Sequence, residues 1–193
     1  MSSPTGLPLP PTGGILTVRE HVNDNSVSYS WLQISASAVI EASPDRVWET
    51  LINLESYSEW NPFVRSADVC NAAKHRLDDQ TLSAGKHVLL KVHMPPSMDD
   101  TRSSRMTLCE VTHVDHENRR VCWGSHELPK WVLYSDRWQS VIPADPEGRT
   151  SKYETREVMY GFLAFIVKLF YTKPLQEGFD AMAKGLKSKS ESL

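Results

Sequence analysis

From Ser30 to Ala42, Leu32, Ile34, Ala36, Ala38 and Ile40 alternate with Gln33, Ser35, Ser37 and Glu41. That period of two predicts a strand with one buried face. The period changes at Ser43. Ser43 suits an N-cap, Pro44 the first helical position and Asp45 the positive helix end. Val47, Leu51 and Leu54 then fall at helical spacing and form an apolar stripe with Trp48. Asn61-Pro62 ends the helical run, because proline disfavours the α region for the residue before it. A series of strands follows over 63–69, 86–94, 105–115, 119–125, 131–142 and 150–161. HENRR at 116–120 and PADPEG at 143–148 supply two of the turns. Near the C-terminus Leu175, Phe179, Met182 and Leu186 step by three or four, which predicts a long helix. Gly161 and Pro174 frame an apolar lead-in to it, with a bend expected at Pro174.

Strand, helices, strand meander and long helix, in that order, make an α+β fold with a curved antiparallel sheet packed on the terminal helix. A sheet wrapped around one helix leaves room for an internal cavity between them, a favoured place for a ligand. Residues 1–14, rich in Pro, Gly, Ser and Thr, read as a disordered tail, and 15–193 as one domain.

Composition narrows the function classes. Forty per cent of the 193 residues are apolar and the net charge is -3, with basic residues scattered. No electrostatic footprint for nucleic acid appears. The longest apolar run, FLAFIVKLFY at 162–171, carries Lys168 and falls short of the roughly 20 residues of a membrane span, so no membrane insertion is expected. Three unevenly spaced cysteines, Cys70, Cys109 and Cys122, argue against a disulfide framework and for a reducing, cytoplasmic setting. His21, His75, His87, His93, His113, His116 and His126 form no ligand motif, and no nucleophile elbow or phosphate loop is present. The expectation is no metal and no cofactor.

The stretch SPDRVWETLINLESYSEWNPFV, flanked by strands, resembles the START/Bet v 1-like superfamily, the SRPBCC or polyketide cyclase/dehydrase group. YETREVMYGFLAF at 153–165 is similar to the family's last strand running through a glycine into the closing helix. The resemblance spans about residues 28–190 and implies a helix-grip fold with a deep apolar cavity. It implies little about activity, because one fold hosts many functions. It also places WNPF near the cavity mouth, where Trp60 and Phe63 either pack the corner or touch the ligand.

Within that frame Tyr153, Thr155, Glu157 and Met159 share one strand face, opposite the charged Lys152, Glu154 and Arg156. The first set should face the cavity. Glu157 would then be a carboxylate in apolar surroundings, suited to acid or base work, with Tyr153 as its partner in proton transfer. The alternative is a register-fixing pair with Arg137. On strand 131–142 aromatic bulk favours Tyr134 and Trp138 pointing inward, which brings Asp136 with them; the opposite parity stays open. Trp123 adds an aromatic wall, Phe179 a floor and Phe162 an entrance, although core packing is the simpler reading of each aromatic taken singly. Oligomeric state is not legible.

Three functions follow. The first is binding of a polyketide- or terpenoid-like molecule with cofactor-free cyclisation or dehydration. The second is a non-catalytic carrier or sensor of a lipid or apolar metabolite, and the third an interaction module like the chaperone activators.

Overall fold

The computed structural model describes residues 31–192; the expected tail at 1–14 lies outside them. Strand β1 (Trp31–Ile40) leads into α1 (Pro44–Ile52), a 3-10 turn at Leu54–Ser56 and α2 (Tyr57–Trp60). Six strands follow: β2 (Val64–Cys70), β3 (His87–Val92), β4 (Arg105–Asp115), β5 (Arg120–Ser125), β6 (Tyr134–Pro143) and β7 (Ser151–Tyr160). Helices α3 (Phe162–Phe170) and α4 (Thr172–Glu191) close the chain. The seven strands form one antiparallel sheet in the order β1-β7-β6-β5-β4-β3-β2. The first strand thus pairs with the last, and α4 packs across β1 inside the curve. This is the α+β helix-grip architecture.

Two differences from the sequence reading have simple causes. The helical run from Ser43 is split at Asn53, so that Leu54, Tyr57 and Trp60 all turn into the core. The C-terminal bend falls at Tyr171 rather than at Pro174. Pro174 sits in the first turn of α4, where its missing N–H leaves no hydrogen bond unmade.

WNPF seats the sheet on α4. Asn61 is buried, and its Oδ1 accepts from the backbone N–H of Phe63 (3.0 Å) and Val64 (2.9 Å), turning the chain into β2. Trp60 lies against Gly185 and Phe63 against Gly178, two glycines seven residues apart on one face of α4. Phe63 also meets Phe179, with ring centroids 5.8 Å apart.

Candidate functional site

A cavity of about 270 Å³ lies between the sheet and the last two helices. At about 30 Å³ per water it has room for roughly nine waters, or a ligand of about a dozen heavy atoms. Most of the lining is apolar: Phe63, Val92, Cys109, Leu133, Met159 and Leu175 are representative.

The polar lining centres on one row across the sheet. Cross-strand register pairs Trp123 on β5 with Arg137 on β6, and Arg137 with Glu157 on β7. Residues paired this way project to the same face about 5 Å apart, and all three line the cavity. Ser135, one inward position along β6, joins them.

Each member has an unspent interaction. The indole N–H of Trp123 is buried without a hydrogen-bond partner among the described residues. Arg137 is buried yet has no carboxylate within ion-pair distance among the described residues. Its Nε donates to Thr155 Oγ1 (3.1 Å), Nη2 lies 3.2 Å from Met182 Sδ, and its guanidinium carbon sits 3.9 Å from the Phe179 ring centroid. Arginine stays charged in proteins, and the carboxyl facing this cation is its cross-strand neighbour Glu157, outside ion-pair distance but close enough to feel its charge. Glu157 keeps some exposed surface, and that surface faces the cavity. Desolvation raises its pKa above the ordinary 4.5, against the opposing pull of the Arg137 charge and the Ser135 hydroxyl. A carboxyl that readily holds its proton, two N–H donor groups and an apolar enclosure together suit proton transfer at an oxygenated carbon skeleton. Cys109 also lines the cavity, but burial pushes its thiol pKa up, so it is no thiolate nucleophile.

Of the ligand and catalytic candidates from the sequence, Phe63, Trp123, Glu157 and Met159 line the cavity, as does Arg137, the expected register partner of Glu157. The remaining candidates for ligand contact or catalysis lie elsewhere. Tyr153 is on the inward face of β7, but four residues from Glu157, which is about 13 Å along a strand. It is buried with its hydroxyl donating to Gln139 Oε1 (2.6 Å), so its placement does not support proton transfer beside Glu157. Trp60 packs on α4 instead of the ligand space. Phe179 lies beneath Arg137, and Phe162 is 65% exposed on the outside of α3. Tyr134 and Trp138 point away from the cavity, the reverse of the parity that aromatic bulk favoured. Arg137, Ser135 and Gln139 take the inward side of β6, in register with inward residues of β7. On the outer side Trp138 packs on His113, with centroids 5.4 Å apart.

Asp136 finds its partner on that outer side. His126 Nε2 lies 3.1 Å from Asp136 Oδ1, and its Nδ1 lies 3.1 Å from Glu110 Oε2. The ring stacks on Tyr134 at 4.3 Å and lies over Gly124, where an added Cβ would fall 2.6 Å from Nε2. This clamp ties down the start of the 126–133 loop, whose Leu133 lines the cavity. The hydrogen bond to Asp136, aided by Glu110, raises the His126 pKa above 6.5 against a desolvation penalty. A raised histidine pKa stabilises the fold fully below the unfolded value, and this contribution fades as pH rises through the folded one. Thermal melts across pH 5 to 9 should show this declining component in wild type and lack it in His126→Gln.

At the mouth, Arg105 Nη2 donates to the Tyr171 hydroxyl (3.2 Å) and its guanidinium lies over that ring. Both residues line the cavity. The sequence offered no signal for this pair, because residues 66 apart meet only once the sheet has curled.

The class these features define is a helix-grip protein with an internal ligand cavity. Within that class the chain belongs to the family described as polyketide cyclase/dehydrase and lipid transport, whose sequence profile matches residues 32–191. No curated protein matches the chain. Solved structures with the same fold include the Zhui aromatase/cyclase from Streptomyces sp. R1128, 11% identical over 84% of this chain and 94% of that one, with a TM-score of 0.64. A norcoclaurine synthase point mutant from Thalictrum flavum is 14% identical over 86% and 98%, with a TM-score of 0.59. A START superfamily protein from Mycobacterium smegmatis is 15% identical over 86% and 99%, with a TM-score of 0.58.

Proposed function

We propose that the protein binds a hydrophobic, oxygen-bearing small molecule of polyketide- or terpenoid-like type in this cavity and catalyses its cyclisation or dehydration without a cofactor. The observation that carries the reading is the Trp123–Arg137–Glu157 row at the wall of an otherwise apolar cavity. In a dehydration, ionised Glu157 takes the proton from the carbon next to a carbonyl. The carbonyl becomes an enolate, its oxygen held by the Arg137 and Trp123 N–H groups. The enolate then re-forms the carbonyl as the β-hydroxyl departs, and Glu157 returns the proton to it, giving a C=C bond and water. In a cyclisation the same enolate carbon attacks a second carbonyl of the folded chain, and Glu157 protonates the new alkoxide. The apolar walls enforce that folding and exclude water.

The second reading, a carrier for an apolar metabolite, is supported by the same predominantly apolar lining and by the family's link to lipid transport. One experiment separates the two. The protein is incubated with an apolar cell extract, and the retained molecule is identified by native mass spectrometry before and after re-addition. A ligand that returns dehydrated, or at the same mass with altered retention, supports catalysis. One that returns unchanged supports the carrier, and none at all defeats both readings. Arg137→Met should bind the retained molecule roughly thirtyfold more weakly or worse, about 2 kcal/mol. A thermal melt checks that the variant folds, and methionine keeps an apolar stem against Phe179 where the arginine packs.

A further inference from the structure

The strongest feature the cavity does not use is an apolar face beside its mouth. Phe162, Phe165, Leu169 and Phe170 on α3 are 65%, 45%, 58% and 69% exposed, and Trp131 on the 126–133 loop is 66% exposed. Loop and helix form one surface: the backbone N–H of Phe162 donates to Trp131 O (2.9 Å) and that of Leu163 to Val132 O (2.8 Å). Gly161, at φ 99°, makes this approach possible, since a Cβ there would lie 2.7 Å from Val132 O. The same two segments wall the cavity from within, through Leu133, Val167 and Tyr171. One side of the rim therefore faces the ligand and the other carries bare aromatic rings.

The charges set into this face are basic. Lys168 is exposed within it, Lys130 flanks it over the Tyr134 ring, and Lys173 flanks it in a 3.9 Å ion pair with Glu177. No acidic residue occurs from Val158 to Gln176 or from Leu128 to Ser135, although the whole chain is net negative. Aromatic rings ringed by lysines match an anionic lipid interface. They do not match a second copy, because a twofold contact would set the lysines against themselves. Nor does α3 span a bilayer: nine residues give about 14 Å, and no helix among the described residues is long and apolar enough to cross.

We propose that this face docks the protein on an anionic membrane surface with the cavity mouth turned toward the lipid, so that apolar ligands pass between bilayer and cavity. Docking is independent of the cavity chemistry, which would fail or stand separately. The test is co-sedimentation of the full chain with vesicles of phosphatidylcholine mixed with phosphatidylserine, against phosphatidylcholine alone. Binding to the mixed vesicles is expected, weakening as salt is raised. The double variant Phe162→Ser, Phe170→Ser should bind about tenfold more weakly or worse, and Lys168→Glu at least about fivefold more weakly. Val39→Ser, which removes an exposed apolar side chain on β1, should change nothing, and the melting temperatures of all variants should match wild type. No binding to the mixed vesicles, or equal binding by the variants, overturns the proposal. So does a concentration-dependent dimer in sedimentation velocity that the double variant abolishes.

Discussion

Glu157→Gln should lower turnover of the cavity's substrate by roughly 10²- to 10⁴-fold, the usual worth of a positioned acid or base, while affinity stays within a few-fold. The amide keeps the shape and polarity of the carboxyl and cannot exchange a proton, so chemistry is lost and binding is not. Two pH effects make the prediction stricter. Wild-type turnover should rise with pH through the raised pKa of Glu157, because the ionised form takes the first proton. Stability should move the other way. A carboxyl whose folded pKa is raised binds more protons folded than unfolded, so stability falls as pH climbs from about 4.5 through the folded value and levels off above it. The glutamine variant lacks that loss and should melt higher than wild type above the folded pKa. A variant that melts higher but turns over normally would remove Glu157 from the mechanism and leave it a desolvated wall residue.

What could be read in advance follows from how local each signal is. The inward face of β7 was legible because Lys152, Glu154 and Arg156 mark the other side as polar, and Glu157 was placed by that alternation. The parity of β6 was not. There the inward side carries Arg137 and Gln139 and the outer side carries Trp138, so a rule that sends aromatics inward fails. It fails because Trp138 finds His113, and Asp136 finds His126, on the outer face. Neither partner lies on the same strand. The polar row of the cavity is a property of register, and register across three strands depends on turns whose lengths do not announce it. WNPF showed the same limit: its residue types signalled a corner, but only the structure divides it into Trp60 for packing and Phe63 for both packing and cavity wall.

That division makes Gly185→Ala the most informative change to the fold. In a solvent-facing helix, glycine to alanine stabilises by about 1 kcal/mol. Here the added Cβ would lie 2.2 Å from the backbone oxygen of Trp60. A backbone atom held by α2 and the Asn61 turn has little freedom to yield, so α4 must shift off the corner. Overpacking of this kind costs about 1–3 kcal/mol and occasionally more. The helix gain offsets only part of it, leaving a net loss of about 2 kcal/mol near the upper end of that cost. In a chain of this size, that lowers the melting temperature by roughly 4–8 °C. The displacement also reaches the cavity, because Phe63 follows Trp60 by three residues and rests on Gly178 of the same helix. Ligand affinity should therefore fall together with stability, which separates this variant from Glu157→Gln. If the melting temperature instead rises, Trp60 does not sit on α4 as described, and the account of WNPF as the seat of the cavity wall is wrong.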